Sequence, residues 1–372
     1  MKNRIWLLLA VLILLMAACA PSTPVPQPTS TSAPSSEPVI TPPQAPTSTP
    51  AATPTEVPPP SPFDTPNFIF QGEDPSIPIV THNPSPQIEN SYINPGAVLF
   101  HEGKFHMFFN SFTAWPGLVL VGYMTSEDGY QWEMVQDEPV FTTDQIPFGD
   151  GNADVSSVVV LEDGTWVLYF HTVGGGEIGL ATSDSPLGPW AVNPEPILMP
   201  GPQGAWDRRG LGWPSVGHDG NAYFMYYGAQ DRVFSIGLAT SADGLHWEKY
   251  NDPATTEEKY EESDPVLVNE TNWESVKVDR PRVAFSPDGY VMIYQGGVRV
   301  ENRGLAVSQD GIHWEKYPEN PLFTSHDFPI PTAKTWDTNL LYHDGTYYYF
   351  MELGSLSGTD LYLTTHEGSL LK

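Results

Sequence analysis

Four copies of one phrase constrain the fold of this chain more than any other sequence feature. Each copy begins at a glycine, passes through a serine, and ends at a tryptophan. A repeat of this kind at a fixed period is typical of radial or stacked architectures, in which every copy belongs to one structural unit. The copies are GYMTSEDGYQW at 122–132, GLATSDSPLGPW at 179–190, GLATSADGLHW at 237–247 and GLAVSQDGIHW at 304–314.

A second recurring element precedes each phrase and predicts a β-hairpin. Glu-Gly or Asp-Gly separates two apolar, aromatic-rich runs, as in LEDGTWVLYFH at 161–171, and Gly tolerates the positive φ that tight turns require. The phrase then supplies a third strand and the turn into a fourth. We therefore predict an all-β fold, a five-bladed β-propeller with four-stranded antiparallel blades. The five units lie at about 92–137, 150–195, 206–252, 276–319 and 335–370.

The fifth unit lacks a fourth strand, and this predicts how the ring closes. It has a hairpin and a third strand, but no closing Trp segment follows. An apolar segment before the first unit, Phe68–Phe70 or Ile77–Val80, would supply that strand and protect the edge of the last blade. We interpret the repeated phrase itself as scaffold. Its Trp side chains would pack between blades, and its Asp and Ser side chains would bond turn N–H groups.

The N-terminal residues predict export rather than part of the propeller. Lys2 and Arg4 precede an apolar run of about signal-peptide length. The sequence Met16-Ala17-Ala18-Cys19 then resembles the lipobox of bacterial lipoproteins, which implies cleavage before Cys19 and lipidation of its thiol. An ordinary secretory signal followed by an unused cysteine is the alternative. Because Cys19 is the only cysteine in the chain, no internal disulfide is possible.

A segment of Pro, Ser, Thr and Ala follows the signal and predicts a disordered stalk, since it has little apolar surface to bury. We thus expect a signal peptide at 1–18, a linker at 19–62 and the propeller at 63–372. The protein would be secreted across the cytoplasmic membrane and held at the bacterial cell surface by the lipid on Cys19.

The charge of the chain argues against nucleic acid as a partner. It carries 16 basic and 45 acidic residues, a formal net charge of −29, and loss of Lys2 and Arg4 with the signal would make it about −31. The sequence has no HExxH, paired-Cys or EF-hand spacing. We therefore expect no metal site and no cofactor, with a structural calcium ion as the open alternative.

The wording ATSADGLHWEKY at 239–250, together with the hairpins and the five units, resembles the five-bladed glycoside hydrolases of families 43, 32, 68, 117 and 130. The resemblance covers about residues 90–370. It implies a carbohydrate substrate and a catalytic site where the inner strands of the blades begin and face a central funnel. Two carboxyl groups would flank the glycosidic bond there: one protonates the leaving oxygen and the other attacks or activates water.

The starts of the inner strands depart from the pattern of those families. Families 43 and 32 have an Asp in the first blade, often before Pro, where this chain has Asn94-Pro95. Asparagine is neither a base nor a nucleophile. The third blade has Trp213-Pro214, and Asp279-Arg280-Pro281 matches the fourth-blade pattern only approximately. A catalytically inactive carbohydrate-binding propeller is therefore one alternative. A phosphorylase of the family 130 type is another, because the arginines would suit phosphate and the Asp279-Arg280-Pro281 segment resembles the EDPR phrase of that family, displaced by one residue.

Three carboxylates at the predicted strand starts remain candidates for catalysis. We predict Asp279 as the proton donor and Asp154 or Asp337 as the base, with Asp150 and Asp207 in adjoining loops. Asn94 would bond a sugar hydroxyl. We also expect Trp213, Trp336 and His171 to contact the sugar, and Trp115 and Trp206 to stack on it or to belong to the core. His218 is a further candidate for the funnel lining.

Basic residues cluster near the same strand starts, although the predicted propeller has few of them. Guanidinium groups there suit the capture of a carboxylate or sulfate. We therefore predict that Arg209, Arg280 and Arg282 bind substrate and that the substrate is an anionic oligosaccharide. The full cluster comprises Arg208, Arg209, Lys277, Arg280, Arg282 and Lys334.

Overall fold

The computed structural model of the chain describes residues 61–149, 152–174, 176–331 and 333–372. The predicted signal peptide, Cys19, most of the linker and Asp150 lie outside these ranges. The described residues form five small antiparallel sheets arranged as a five-bladed β-propeller, which confirms the predicted fold class. No helix in the described ranges is long and apolar enough to cross a membrane.

Each blade consists mainly of consecutive strands that run outward from the centre of the ring. Two blades differ from the four-stranded prediction, since β6 (Phe141–Thr142) and β15 (Pro265–Leu267) add a short strand to the first and third blades. Two described 3-10 turns lie at Thr143–Gln145 and Glu258–Tyr260.

The first blade contains β2 (Tyr92–His101), β3 (Lys104–Phe112), β4 (Leu120–Ser126), β5 (Glu133–Met134) and β6 (Phe141–Thr142). The second contains β7 (Ala153–Val160), β8 (Trp166–Thr172), β9 (Ile178–Ser183) and β10 (Ala191–Val192). The third contains β11 (Leu211–His218), β12 (Tyr223–Gln230), β13 (Phe234–Ser241), β14 (Glu248–Lys249) and β15 (Pro265–Leu267). The fourth contains β16 (Val278–Ser286), β17 (Gly289–Gly296), β18 (Arg303–Ser308) and β19 (Glu315–Lys316). The fifth contains β20 (Thr338–His343), β21 (Thr346–Ser355), β22 (Gly358–Glu367) and β1 (Ile69–Phe70).

The N-terminal strand closes the ring, as the sequence predicts. Strand β1 pairs with β22 so that Ile69 lies opposite Thr365 and Phe70 opposite Thr364. The second predicted segment also contributes, because Val80 forms a β-bridge with Leu361 of the same strand. The last blade therefore takes its outer strand from the other end of the domain, and β22 is not left as a free edge.

The tryptophans of the repeated phrase pack between blades. Each indole lies edge-on against an aromatic ring on the second strand of the preceding blade, with centroid distances between 5.4 and 5.9 Å and interplanar angles between 75° and 85°. Edge-to-face geometry is favoured because the positive edge of one ring meets the negative face of the other. The pairs are Trp132–Phe350, Trp190–Phe108, Trp247–Tyr169 and Trp314–Tyr226.

The polar residues of the phrase fix the turn that presents each indole. In the first copy, Asp128 Oδ1 accepts hydrogen bonds from the backbone N–H of Tyr130 and Gln131 at 2.9 and 2.7 Å. The indole of Trp132 donates to the Gly129 carbonyl at 3.0 Å. The copies around Asp243 and Asp310 repeat these bonds. The interpretation of the phrase as scaffold is confirmed.

The interface between the fourth and fifth blades uses phenylalanines in place of the missing Trp. Phe63 packs edge-on against Tyr317 at 5.4 Å, and Phe68 packs against Phe323 at 5.7 Å. Phe63 is only 4% exposed and belongs to the core cluster that joins these blades. The segment before the first blade thus supplies both a strand and part of an inter-blade core.

Substitution in this closing segment tests how far the whole domain depends on it. We expect Phe63→Ala to lower the free energy of unfolding by about 3–5 kcal/mol, because it removes a buried aromatic ring. The control is Ile69→Ala in the same segment, whose side chain is 57% exposed and should change stability by less than about 1 kcal/mol. Urea unfolding followed by tryptophan fluorescence measures both. Equal effects of the two substitutions would contradict this account of ring closure.

Candidate functional site

An extra residue near the start of the inner strand shapes the centre of the ring. In the first blade, Asn94 pairs with Asn110 but Ala97 pairs with Phe108, so three steps on β2 match two on β3. The inner strands of the second, third and fourth blades have an equivalent register shift. Such β-bulges re-aim side chains and are common beside active sites. Here they lie where the inner strands converge.

Two bulge residues adopt a backbone conformation that only glycine adopts readily. Trp213 has φ 51° and Arg280 has φ 49°, and each precedes a proline. Non-glycine residues in this left-handed region cost about 1–3 kcal/mol and often mark functional sites. The two side chains stack, with the Arg280 guanidinium carbon 4.1 Å from the centroid of the Trp213 ring. The strained positions thus form one cation–π pair.

A cavity of about 430 Å³ opens beside this pair, and we call it the acid cavity. Its polar lining contains three buried carboxyl groups, and aromatic rings form much of the rest. Combined polar anchors and apolar faces of this kind suit a small polar ligand such as a sugar. The polar lining residues are Asn94, Asp154, Arg280, Asp337 and Glu352, and the aromatic ones are Tyr92, Phe112, Trp115, Trp213 and Trp336.

Asp154 and Asp337 form a pair of neighbouring carboxyl groups in the acid cavity. Both are buried, and their carboxyl groups lie within hydrogen-bonding reach of each other. Burial, reinforced by the charge of Asp337, raises the pKa of Asp154 well above its usual value. Burial would also raise the pKa of Asp337, but the guanidinium groups of Arg282 and Arg280 outweigh it and lower that pKa. The surroundings therefore favour a proton on Asp154 and a negative charge on Asp337.

Backbone and side-chain donors hold Asp337 in place. Its Oδ1 accepts hydrogen bonds from Arg282 Nη2 at 2.5 Å and from the Thr338 N–H at 2.8 Å. Arg282 also donates through Nε to the Thr338 carbonyl. The second oxygen, Oδ2, is buried and accepts no hydrogen bond from an N–H or hydroxyl group of the described residues. Arg282 thus acts on the site through Asp337, and its guanidinium is already bonded there.

Glu352 on β21 is the third carboxyl of the acid cavity. Its Oε2 accepts a hydrogen bond from the Asp337 N–H at 3.0 Å, and its own N–H donates to the Asp337 carbonyl at 3.0 Å. Burial, together with the charge of Asp337, raises the pKa of Glu352 to about 8. It is consequently a neutral carboxylic acid at neutral pH and a proton donor beside an ionised carboxylate.

Asn94 belongs to an amide network on the opposite wall. Its Oδ1 accepts hydrogen bonds from Asn110 Nδ2 at 2.8 Å and from the Gly96 N–H at 3.0 Å, while its Nδ2 points to Asp154 Oδ1 at 3.4 Å. Asn110 also donates to the Val155 carbonyl at 2.7 Å. An Asp at position 94 would put a second negative charge beside the ionised Asp337 of the Asp154–Asp337 pair. The asparagine supplies a donor instead.

Asp279 lies apart from the three acids, in an adjoining cavity of about 220 Å³ that we call the Asp279 cavity. It shares Trp115, Trp213 and Arg280 with the acid cavity. Asp279 is fully buried, and neither of its oxygens accepts a hydrogen bond from the described residues. The side chains of His171, Arg209 and Gln230 also line this cavity.

The predicted site residues therefore divide between two cavities. Asn94, Asp154, Asp337 and Trp336 line the first, whereas Asp279, Arg209 and His171 line the second, and Trp213 and Arg280 line both. The structure does not bring the predicted proton donor Asp279 to the cavity of the predicted bases. Burial lowers the pKa of His171 to about 3, so this ring is neutral.

Most of the predicted basic cluster is paired with acids of the chain. Within the described residues, Arg280 is the one member without an acidic partner within ion-pair distance; its Nη1 donates to the Trp336 carbonyl at 2.6 Å. The pairs are Arg208–Asp231 at 2.8 Å, Arg209–Asp231 at 3.1 Å, Lys277–Asp279 at 3.4 Å, Arg282–Asp337 at 2.5 Å and Lys334–Glu301 at 3.0 Å.

Three other candidates have structural surroundings. Trp206 is buried and its indole donates to the Ser263 carbonyl at 2.8 Å, so it belongs to the core. Asp207 is buried against Lys249, with Oδ2 2.5 Å from the ammonium nitrogen. His218 lines a cavity formed by the far ends of the inner strands, away from the acids.

Sequence reasoning missed Glu352 and Asn110, which both lie on second strands rather than at the starts of first strands. A signal for Glu352 was present, because it is the only charged residue of the strand TYYYFMELGS at 346–355. A lone acid in a strand that is buried on both faces has to be neutral or specifically paired. No group of three or more His, Cys, Asp or Glu side chains in the described ranges is arranged to hold a metal ion.

Comparisons with known proteins agree with this architecture. No protein family model matches the chain. A β-1,2-mannobiose phosphorylase from Thermoanaerobacter sp. (strain X514) is 27% identical over 117 residues, which span 27% of this chain and 35% of that enzyme. The match thus covers about a third of the length of this curated relative.

Solved structures are similar over most of the chain. One belongs to the family 130 mannoside phosphorylases, described as containing glycoside hydrolases that target β-1,2-mannosidic linkages in Candida mannan; it has 16% identity and a TM-score of 0.59 over 82% of this chain and 96% of that chain. A glycosyl hydrolase from Bacteroides ovatus has 16% sequence identity and a TM-score of 0.59, over 82% of this chain and 95% of that chain. A thermostable family 43 glycoside hydrolase has 16% sequence identity and a TM-score of 0.55, over 77% of this chain and 91% of that chain. This chain has the five-bladed propeller fold of glycoside hydrolases. The resemblance predicted from the sequence is confirmed. At these sequence identities, the comparisons establish the fold of the propeller.

The protonated state of Glu352 predicts how stability depends on pH. Because the pKa is about 8 in the folded protein and near 4.5 when unfolded, the unfolded chain loses this proton first as pH rises. The stability contributed by the neutral acid is complete below pH 4.5 and is lost progressively up to about pH 8. We expect Glu352→Gln, which cannot ionise, to reduce the drop in unfolding free energy between pH 5 and pH 8 by on the order of 3 kcal/mol.

Chemical unfolding at the two pH values measures this difference. The matched control is Glu262→Gln, at an exposed glutamate, which should leave the pH dependence unchanged. A variant at position 352 with the same pH dependence as the unmodified protein would show that Glu352 is ionised in the folded state.

Proposed function

We propose that this protein is a glycoside hydrolase that cleaves a glycosidic bond in the acid cavity. The observation that carries the proposal is the set of three buried carboxyl groups that line one cavity where the inner strands converge, in surroundings that raise the pKa of two and lower the pKa of the third. Glycosidic cleavage needs a neutral acid to protonate the leaving oxygen and an ionised carboxylate to attack or to activate water. The fold shared with glycoside hydrolases supports the same conclusion.

The protonation states suggest a role for each acid. Glu352 is the proton donor, because it is neutral and belongs to the cavity lining. Asp337 is the ionised carboxylate. Asp154 holds a proton beside it and so influences how much negative charge Asp337 presents to the substrate. Arg282 is a positioning residue, since it contacts Asp337 and is buried behind it. Trp213 and Trp336 would stack on the apolar face of the sugar, and Asn94 would bond a hydroxyl.

The relatives indicate where to begin the search for a substrate. One is a β-1,2-mannobiose phosphorylase and another belongs to a group with hydrolases of β-1,2-mannosidic linkages. β-1,2-Mannobiose is therefore the first probe, followed by aryl glycosides of the common hexoses, pentoses and uronic acids. We further propose that the enzyme needs no cofactor and works outside the cytoplasmic membrane, tethered through the lipid on Cys19. Metabolic labelling with a palmitate analogue, compared between the unmodified protein and Cys19→Ser, tests the tether.

Substitution of the acids tests the catalytic proposal. We expect Glu352→Gln and Asp337→Asn each to lower kcat by about 10²–10⁴-fold on whichever glycoside is cleaved, because each removes a proton donor or an ionised base. Release of reducing sugar measures the rate, and Glu262→Gln is the control. Full activity in both site variants would disprove the assignment. Absence of turnover on every probe together with sugar binding would favour the inactive carbohydrate-binding alternative.

The pH profile provides an independent test. Since Glu352 must be protonated and its pKa is about 8, kcat/KM should fall as pH rises through about 8. Asp337 must be ionised, and its lowered pKa should keep the acidic limb below the range usual for a carboxylate. Measurement of initial rates from pH 3 to pH 10 locates both limbs. An alkaline limb far from pH 8 would exclude Glu352 as the donor.

Phosphate separates hydrolysis from the phosphorylase alternative. A hydrolase releases free sugar at the same rate with or without phosphate, whereas a phosphorylase requires it and yields a sugar phosphate. The structure pairs most basic residues of the predicted cluster with acids, so few free cations remain for an inorganic anion. This pairing favours hydrolysis.

One observation supports an acidic substrate. Arg280 lines the acid cavity and, among the described basic residues of the cluster, has no acidic partner within ion-pair distance, so its guanidinium is able to meet a sugar carboxylate. We expect Arg280→Gln to reduce kcat/KM on an aryl uronide about 10-fold more than on the matching neutral glycoside. The exposed Arg232→Gln is the control. Equal losses on both substrates would remove the preference for anionic sugars.

A further inference from the structure

One position on the inner strand is equivalent in all five blades and is polar in four of them. In each blade it pairs with the middle of the second strand, and in four blades its partner is the aromatic ring that contacts a phrase tryptophan. All five residues are buried. A buried polar group costs free energy unless it is hydrogen-bonded, so each polar side chain here needs a partner. The residues are Ala97, Ser157, Ser215, Arg282 and Asn339.

The two serines find their partners on the main chain of the next blade. Ser157 Oγ donates to the Pro214 carbonyl at 2.9 Å and accepts from the Val216 N–H at 3.0 Å. Ser215 Oγ accepts from the Val283 N–H at 2.9 Å. The second blade is thus bonded to the third, and the third to the fourth, through side chains of the inner strands.

The pattern continues from the fourth blade to the fifth and from the fifth to the first. Arg282 donates through Nε to the Thr338 carbonyl. Asn339 donates through Nδ2 to the Gly96 carbonyl at 2.9 Å. Every polar residue of the set therefore bonds the main chain of the blade that follows it around the ring.

The first blade departs from the pattern, because Ala97 has no polar side chain. Asn110 on β3 supplies the bond in its place: its Nδ2 donates to the Val155 carbonyl at 2.7 Å, and its Oδ1 accepts from the Val155 N–H at 3.3 Å. All five interfaces thus have such a bond, and together the bonds form a closed circle. We call it the inner ring, and its side chains are those of Asn110, Ser157, Ser215, Arg282 and Asn339.

The inner ring holds the main chain next to the residues that line the acid cavity. Two of the bonded carbonyls, those of Gly96 and Pro214, lie within β-bulges, where backbone groups stand outside the regular ladder. The other bonded groups lie directly after a residue of the site. The successive pairs of site residue and bonded residue are Asn94 and Gly96, Asp154 and Val155, Trp213 and Pro214, Arg282 and Val283, and Asp337 and Thr338.

We propose that Ser157, Ser215 and Asn339 are positioning residues, which hold the inner strands so that the carboxyl groups of the acid cavity meet in the geometry that cleavage requires. None of the three lines the acid cavity; all three line the cavity at the far ends of the inner strands. They therefore act through the main chain and not by contact with substrate. The role rests on the proposed function, because cleavage is the reaction for which the geometry is held.

Ser215 shows how the effect crosses blades. It bonds the Val283 N–H, and the preceding residue is Arg282, whose Nη2 lies 2.5 Å from Asp337 Oδ1. Loss of the Ser215 hydroxyl leaves the Val283 N–H without this acceptor, so the strand that carries Arg282 is free to move. A hydroxyl in the third blade thereby helps to hold a carboxylate in the fifth.

Kinetics of Ser157→Ala and Ser215→Ala test the positioning role on whichever aryl glycoside or β-1,2-mannobiose is cleaved. We expect each substitution to lower kcat about 10-fold and to change KM by less than about 3-fold, since small displacements of reacting groups are costly and neither serine contacts substrate. The matched control is Ser286→Ala. Ser286 is also buried, donates to the Gly289 carbonyl at 3.1 Å and accepts from the Asp288 N–H at 3.3 Å, but lies at the other end of its strand. It should lose similar stability and keep its kcat.

A double-mutant cycle tests the connection between Ser215 and Asp337 without any need for turnover. Urea unfolding followed by tryptophan fluorescence gives the midpoint shift caused by Ser215→Ala in the unmodified protein and in Asp337→Asn. If Ser215 acts through the Arg282–Asp337 contact, about half or more of the shift should disappear in the Asp337→Asn background, since only coupled sites depart from additivity. Ser286→Ala should shift the midpoint equally in both backgrounds.

The outcomes separate the positioning role from the proposed function. If a probe is hydrolysed and both serine variants keep the kcat of Ser286→Ala, the positioning role is disproved and the function stands. If no probe is hydrolysed but the Ser215→Ala shift depends on Asp337, the inner ring does position Asp337 and the hydrolase proposal fails. Additive midpoint shifts would overturn the connection between Ser215 and Asp337. Thermal melting identifies any variant that does not fold, and the remaining serine variant then decides the kinetic test.

Discussion

The structure depends on a contact between an indole and an aromatic ring that recurs at four of the five blade interfaces. Each blade is a small twisted sheet that exposes apolar faces, and it becomes stable only when it packs against its neighbours. The Ser-Asp-Gly turn fixes the indole, and the indole in turn fixes the angle between blades. The phenylalanines before the first blade complete the set. A ring held in this way forces the starts of the inner strands to converge.

Convergence explains why carboxyl groups that are distant in sequence come to differ in protonation. Asp154 and Asp337 come from the second and fifth blades, and only the closed ring places them together. Burial alone would neutralise both. Arg282, from the fourth blade, selects Asp337 as the charged member, and that charge helps to keep Glu352 protonated. Residues from three blades thus determine which carboxyl groups of the acid cavity are protonated. The pKa of each carboxyl depends on groups outside its own strand.

The sequence predicted the architecture well because each blade repeats local signals: hairpin turns, strand alternation and the Trp phrase. It also located Asn94, Asp154 and Asp337 correctly at converging strand starts. It did not reveal which carboxyls meet, because that depends on the order of blades around the ring and on which way each bulge turns a side chain. For this reason the sequence predicted one site for Asp279 and Asp154, although the side chain of Asp279 lines the adjoining cavity. Glu352 lies on a second strand, whereas the resemblance places the catalytic residues at the starts of the inner strands, and the pairing of Arg208, Arg209 and Lys334 with acids depends on loop geometry.

The β-bulges at the inner strands have a consequence for how such a site changes over time. The extra residue in each bulge stands outside the regular pairing of the ladder, so its side chain is not required for packing within the blade. Trp213 and Arg280 occupy such positions. A different side chain at either position would change the walls of the two cavities while the regular ladder of the blade stayed in place.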